Sequence, residues 1–179
     1  MTHDPTSPAN PPANPSADPP QLGIRVVSAY DNQTRRVDVQ LVGSRGVAVE
    51  DGLATTFEAG RLWPTIRAVL PPLDHVREEP HASPSPDPDR VPGAGWDQAC
   101  RAMVSIAVVA LPGGTGATPL EIGLRTWFAT DDELWSATPL PDGRTDLRLA
   151  APGAIADLLI WDVTGALEAL VSDAGRVAS

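Results

Sequence analysis

The stretch GIRVVSAYDNQTRRVDVQLV, residues 23–42, decides the fold class. Ile24, Val26 and Ser28 alternate with Arg25, Val27 and Ala29, and further on Val37, Val39 and Leu41 alternate with Arg36, Asp38 and Gln40. A period of two sends the two sets to opposite faces of an extended chain, so both runs read as strands. Asp31-Asn32-Gln33-Thr34 between them supplies turn chemistry, because Asp and Asn tolerate left-handed backbone and bond their own main chain. Strands joined by so short a connection pair antiparallel.

Working outward, Gly43-Ser44-Arg45-Gly46 turns the chain into a short third strand at Val47-Ala48-Val49. Thr55 with Glu58 three residues on matches a capping box, which predicts a helix start. Leu62, Ile66, Val69 and Leu70 then fall on one helical face. Pro64 lies inside that pattern and predicts a kink or two short helices, and Pro71-Pro72 ends it. The second half repeats the plan. Met103 to Leu111 is apolar on both alternating faces and rich in β-branched residues, which suits a central strand; a helix starting near Asp97 is the rival reading. Leu120, Ile122, Leu124, Thr126 and Phe128 alternate against Glu121, Gly123, Arg125 and Trp127. Asp131-Asp132 turns the chain into Glu133–Thr138, and Pro141-Asp142-Gly143 is a hairpin turn before Arg144–Leu149. Pro152 opens a last helix with Ile155, Leu158, Leu159, Val163, Leu167 and Leu170 on one face. The expectation is an α+β fold, an antiparallel sheet with helices on one face, in two similar strand–helix halves.

Proline divides the chain. Residues 1–20 and 71–92 together hold 14 of its 20 prolines. The first segment has almost no large apolar residue after Met1 and reads as a disordered, Pro-rich tail. It lacks the basic and apolar regions of a secretory signal. The second segment reads as an acidic linker or long loop interrupting a single domain over 21–172. Residues 173–179 read as a flexible C-terminus. No apolar run is long enough to predict a membrane span.

Composition removes whole chemistries. All 13 basic residues among the 179 are Arg, and there is no Lys. Phosphate loops and Schiff-base or pyridoxal-phosphate enzymes need a Lys. Cys100 stands alone, so a disulfide within the chain, a CxxC redox pair and a Cys-rich zinc site are out. A formal net charge of -10 argues against nucleic acid as a general partner. His3, His75 and His81 all fall in the two Pro-rich segments, which leaves the ordered domain without His or Lys. His75 and His81, with Glu78, Glu79 and Asp87, make a loose metal set at best, since a metal site needs rigid ligands. The expectation is no cofactor and no metal.

Three features still carry possible chemistry. Asp131, Asp132 and Glu133 are consecutive carboxylates, with Arg125 as a charged partner; paired carboxylates do general acid–base work when one is buried, and three at a turn more often face solvent. Gly113-Gly114-Thr115-Gly116 follows an apolar run as phosphate loops do, but a strand pattern rather than a helix comes after it, so it reads as a hairpin loop. Trp127, Trp135 and Trp161 sit off the main apolar faces of their elements. Trp is favoured at binding hot spots, so these three are candidate partner-binding residues; the alternative is that both sheet faces are covered and they are core.

Two stretches carry a family resemblance. One is Arg67-Ala68-Val69-Leu70-Pro71-Pro72, running through a variable linker to Pro92-Gly93-Ala94-Gly95. The other runs from Trp127-Phe128-Ala129-Thr130-Asp131-Asp132-Glu133-Leu134-Trp135 on to Leu147–Leu149, Pro152 and the terminal amphipathic helix. In this layout the chain resembles the EspG family of type VII secretion chaperones of actinobacteria. The resemblance implies two similar strand–helix halves and binding of secreted protein partners in the cytosol, and it carries over no functional residue. The expected function is therefore non-enzymatic protein binding, chaperone-like and cytoplasmic. The alternatives are a small hydrolase-like enzyme using Asp131 to Glu133, or an acidic immunity or structural protein.

Overall fold

A computed structural model of the chain describes residues 19–80, 86–87, 90–113 and 118–177, with side chains to Leu170. The strands are β1 (Gln21–Tyr30), β2 (Gln33–Val42), β3 (Arg45–Glu50), β4 (Leu53–Glu58), β5 (Ala102–Leu111), β6 (Leu120–Ala129), β7 (Leu134–Pro139) and β8 (Thr145–Ala150). The helices are α1 (Leu62–Arg67), α2 (Asp74–Arg77), α3 (Trp96–Ala99) and α4 (Ala154–Val177). The eight strands form one antiparallel sheet in the order β4-β3-β2-β1-β5-β6-β7-β8. Each half is a four-strand meander followed by a helix, and the two meanders join where β1 pairs β5. The fold is α+β, as the alternation in residues 23–42 predicts.

The hairpins follow from local chemistry. Asp31 and Asn32 both take positive φ, the geometry whose twist matches that of flanking strands. Asp51 and Gly52 do the same between β3 and β4. The Thr55–Glu58 spacing is no capping box: both residues lie in β4, where β-branched Thr55 and Thr56 favour extended backbone. The helix starts only at Leu62. Residues 102–111 form a strand, and the rival helix shrinks to α3.

One face of the sheet holds the core. Leu22, Ile24 and Val26 on β1, Val37, Val39 and Leu41 on β2, and Val104, Ile106 and Val108 on β5 all point into it. Ile155, Leu159, Val163 and Leu170 of α4 close it over the sheet centre, and Ile66, Val69 and Leu70 close it beside β1 and β2. Burying a Leu, Ile or Val side chain contributes about 1.5–3 kcal/mol, so this layer supplies the main driving force. Ser28 is the polar exception on β1; its hydroxyl donates to the Val69 carbonyl at 2.8 Å and ties the strand to the chain beyond α1.

Two boundaries and one helix face differ from expectation. The acidic linker of 71–92 is partly inside the fold: α2 lies in it, and Val76 is buried against the core because Leu73 and Val76 give that turn an apolar side. Helix α4 continues to Val177, through most of the expected flexible C-terminus. Leu167, assigned to the buried face of α4, is exposed, while Ala156, Asp162 and Ala166 are buried. The expected N-terminal tail up to residue 18 lies outside the described residues.

Candidate functional site

The three candidate tryptophans go to three different places. Trp127 is 2 % exposed and belongs to the core face of β6. The inward face of β6 is the reverse of the one the alternation predicts. The β5–β6 register shifts between Val108, opposite Gly123, and Val109, opposite Glu121, leaving Ile122 as an extra residue. From Gly123 on, this bulge puts Gly123, Arg125, Trp127 and Ala129 inward, and turns Leu124 and Phe128 outward. Arg125 is tolerated there because its guanidinium makes two bonds to Asp162 of α4, at 2.8 and 2.9 Å. Gly123 leaves room for that carboxylate, since a Cβ there would stand 3.2 Å from Asp162 Oδ2. The Asp162 carboxylate raises the Arg125 pKa above its ordinary value, against the opposing effect of partial burial. Arg125 therefore serves the sheet–helix joint and is no partner to the carboxylates at 131–133.

Trp135 is 1 % exposed but lies on the other face of the sheet, opposite Phe128. Trp96 of α3 packs edge-on against both rings, at 5.7 Å from Phe128 and 6.4 Å from Trp135. Trp135 Nε1 donates to Glu133 at 3.2 Å. Trp127 and Trp135 are therefore interior residues, which corrects their assignment to a partner surface. Trp161 is the reverse case: it is 74 % exposed on the outward side of α4, beside Ile160 at 44 % and near Leu167 at 43 %. Helical spacing points Trp161 directly away from the sheet and sets Ile160, Thr164 and Leu167 along one flank of the same exposed side.

The Asp131-Asp132-Glu133 turn is anchored on two sides. Asp131 pairs with Arg101 at 3.3 Å, and Glu133 pairs with Arg90. Thr130 Oγ1 accepts from the Glu133 backbone at 3.1 Å, which shapes the turn. Asp132 and Glu133 line a cavity of about 380 Å³ together with His75, Arg90 and the chain at Leu149–Pro152. His75 thus stands on α2 within the fold, which corrects the expectation of an ordered domain without His; the apolar packing of Val76 carried it there. Among the described residues, His75 Nε2 is buried without a hydrogen-bond partner, as is Trp127 Nε1. No group of three His, Cys, Asp or Glu among the described residues is placed to hold a metal. His3, His81 and residues 114–117 of the Gly-rich loop lie outside the described residues. Cys100 is half-buried, with its Sγ 3.5 Å from the Ala102 carbonyl.

No helix among the described residues is long and apolar enough to cross a membrane. Compared with protein-family models, with curated proteins and with solved structures, the chain matches none. The likeness to the secretion chaperones accordingly rests on the two quoted stretches alone.

Proposed function

We propose that this chain is a non-enzymatic protein-binding module, chaperone-like, cytoplasmic and related to the type VII secretion chaperones it resembles. The observation that carries the binding role is the exposed side of α4 at Trp161. A folded monomer gains nothing by holding a Trp side chain largely in water, with two half-exposed aliphatics on the neighbouring flank of the same helix. A partner that covers such a group gains a large, rigid apolar contact at small entropic cost. The test is capture of partners from a native lysate by the full chain and by Trp161→Ala. Partners retained by the wild type and lost with Trp161→Ala support the reading; the same set held by both proteins overturns it.

A second reading has its own observation, the cavity that brings His75 beside Asp132 and Glu133. An imidazole that lines one cavity with two carboxylates and an Arg is the inventory of a hydrolytic or small-ligand site. Two of its members are already spent on each other in the Arg90–Glu133 pair. Hydrolysis of ester or phosphoester probes that His75→Ala abolishes would favour this reading over the first.

A further inference from the structure

We infer that the outward face of the sheet, on the side away from α4, is the interface of a homodimer. The inference goes beyond the Trp161 reading and uses the opposite side of the molecule.

An antiparallel sheet with helices on one side normally turns charged and polar residues to water on the other. This one does not. The central strand β5 shows Met103, Ser105, Ala107, Val109 and Leu111 on that face, with no charge among them. Val27 and Ala29 continue it on β1, Val42 and Val49 on β2 and β3, and Leu124 on β6, the last 63 % exposed. Helix α3 covers only the corner at Phe128 and Trp135.

Charge selects the occupant. The chain carries -10, so two copies repel over most of their surface. On the outward face of β3, β2, β1, β5 and β6, Arg25, Arg36 and Arg45 stand against Asp38 and Glu121, and Arg25 and Arg36 are both paired with Asp38 in the plane of the sheet. The face is close to neutral, and two copies can meet there without that repulsion. A basic partner would be drawn to the acidic remainder instead.

Shape and size agree. A depression of about 380 Å³ lies on β1, β2 and β5, where Gly23 has no side chain between Gln40 and Val109. The prominent Leu124 stands on β6, one strand beyond β5. A projection and a hollow side by side on one face are what a two-fold, self-complementary contact requires. Five strands at about 4.8 Å spacing and five outward rows deep give a face on the order of 600 Å² in projection, near the ~800 Å² per partner of a standard interface once side-chain relief is counted.

The experiment is sedimentation equilibrium of the full chain from about 1 to about 100 µM, with wild type, Leu124→Glu, Val109→Glu and Trp161→Ala compared. The expected result is a species of twice the 18.8 kDa chain mass, with the dissociation constant raised at least ~tenfold by Leu124→Glu and unchanged by Trp161→Ala. Leu124 and Val109 lie outside the core, so circular dichroism and melting of both variants should match the wild type; if one fails to fold, the other carries the test. A wild-type monomer throughout overturns the inference. So does a dimer as tight in both Glu variants, or a monomeric chain that retains a different protein through Leu124. Loss of partner capture in Trp161→Ala with the dimer intact separates this interface from the Trp161 reading.

Discussion

The two halves of the sheet share one plan and differ in how they end. Both are four-strand antiparallel meanders, joined edge to edge through β1 and β5. The first closes with α1, six residues from Leu62 to Arg67; the second with α4, 24 residues from Ala154 to Val177. Proline sets the difference. Pro64 is tolerated in the first turn of α1, but Pro71-Pro72 lack the donors and the room to continue it. After Pro152 no proline interrupts α4. The long helix packs over β5, β6 and also β1, so the second half covers part of the first. The first half finishes its own cover with small pieces: Val69 and Leu70 beyond α1, and Val76 of α2. Equivalent strands thus carry unequal loads, and substitutions beneath α4 should cost more than those around α1.

The largest effect expected is at Trp127, on the core face of β6. Trp127→Ala empties a site that its neighbours only partly refill, and should lower stability by about 3–5 kcal/mol in urea denaturation. Trp161→Ala, on the far side of α4, should change it by less than about 0.5 kcal/mol. Similar losses at the two positions would break the assignment of inside and outside. Next comes Arg125→Ala. It strands the Asp162 carboxylate, which is buried and has both oxygens committed to Arg125. Partial exposure of the Arg end moderates the loss to about 2–3 kcal/mol. In the first half, Arg35→Ala removes an exposed pair with Glu50 and an exposed bond to the Ala68 carbonyl, and should cost about 1 kcal/mol. A difference near zero between the two variants would mean that α4 does not depend on this joint. Ser28→Ala ranks third, at about 1 kcal/mol, because it leaves the Val69 carbonyl without its donor. The same denaturation series reads it, and a neutral result would show that water replaces the hydroxyl.

The comparison also explains what the residues disclosed. Strand alternation in residues 23–42, the Pro141-Asp142-Gly143 turn and the α4 stripe were legible because each depends on neighbours in sequence. Asp51-Gly52 is an equally local hairpin signal, with which the Thr55–Glu58 capping spacing competes. The inward face of β6 was not legible, since it depends on a bulge at Ile122 set by pairing with β5 and on a charge partner on α4, 37 residues from Arg125. His75 was hidden for a similar reason. Proline content marks its segment as a linker, while Val76 and Leu73 pack on the core and Arg77 bonds the Leu70 carbonyl, which holds it in the fold. Exposure of Trp161 followed from its place off the apolar stripe, whereas burial of Trp135 needs Trp96, which lies on α3 and reaches it only through tertiary packing.

The smallest effect sharpens the contrast between the two aspartate–arginine joints. Asp162 sits on the buried side of α4 with one arginine, whereas Asp38 lies on the open face of β2 with two, Arg25 at 2.7 Å and Arg36 at 2.8 Å. Partial burial pushes the Asp38 carboxyl upward, and hydrogen bonds and charge attraction from Arg25 and Arg36 more than reverse this, leaving it below the ordinary aspartate range. A carboxyl whose pKa is lower folded than unfolded stabilises the fold above its unfolded value, and that contribution disappears as pH falls through the folded one. Asp38→Asn should therefore cost well under about 1 kcal/mol near neutrality, since the group is largely solvent-screened. The gap to wild type should hold above the ordinary aspartate range of about 4 and narrow as pH falls below it, read from denaturation midpoints across acidic pH. A gap that widens on acidification would reverse the sign argued here, and would mean that the two arginines do not hold the charged form of Asp38.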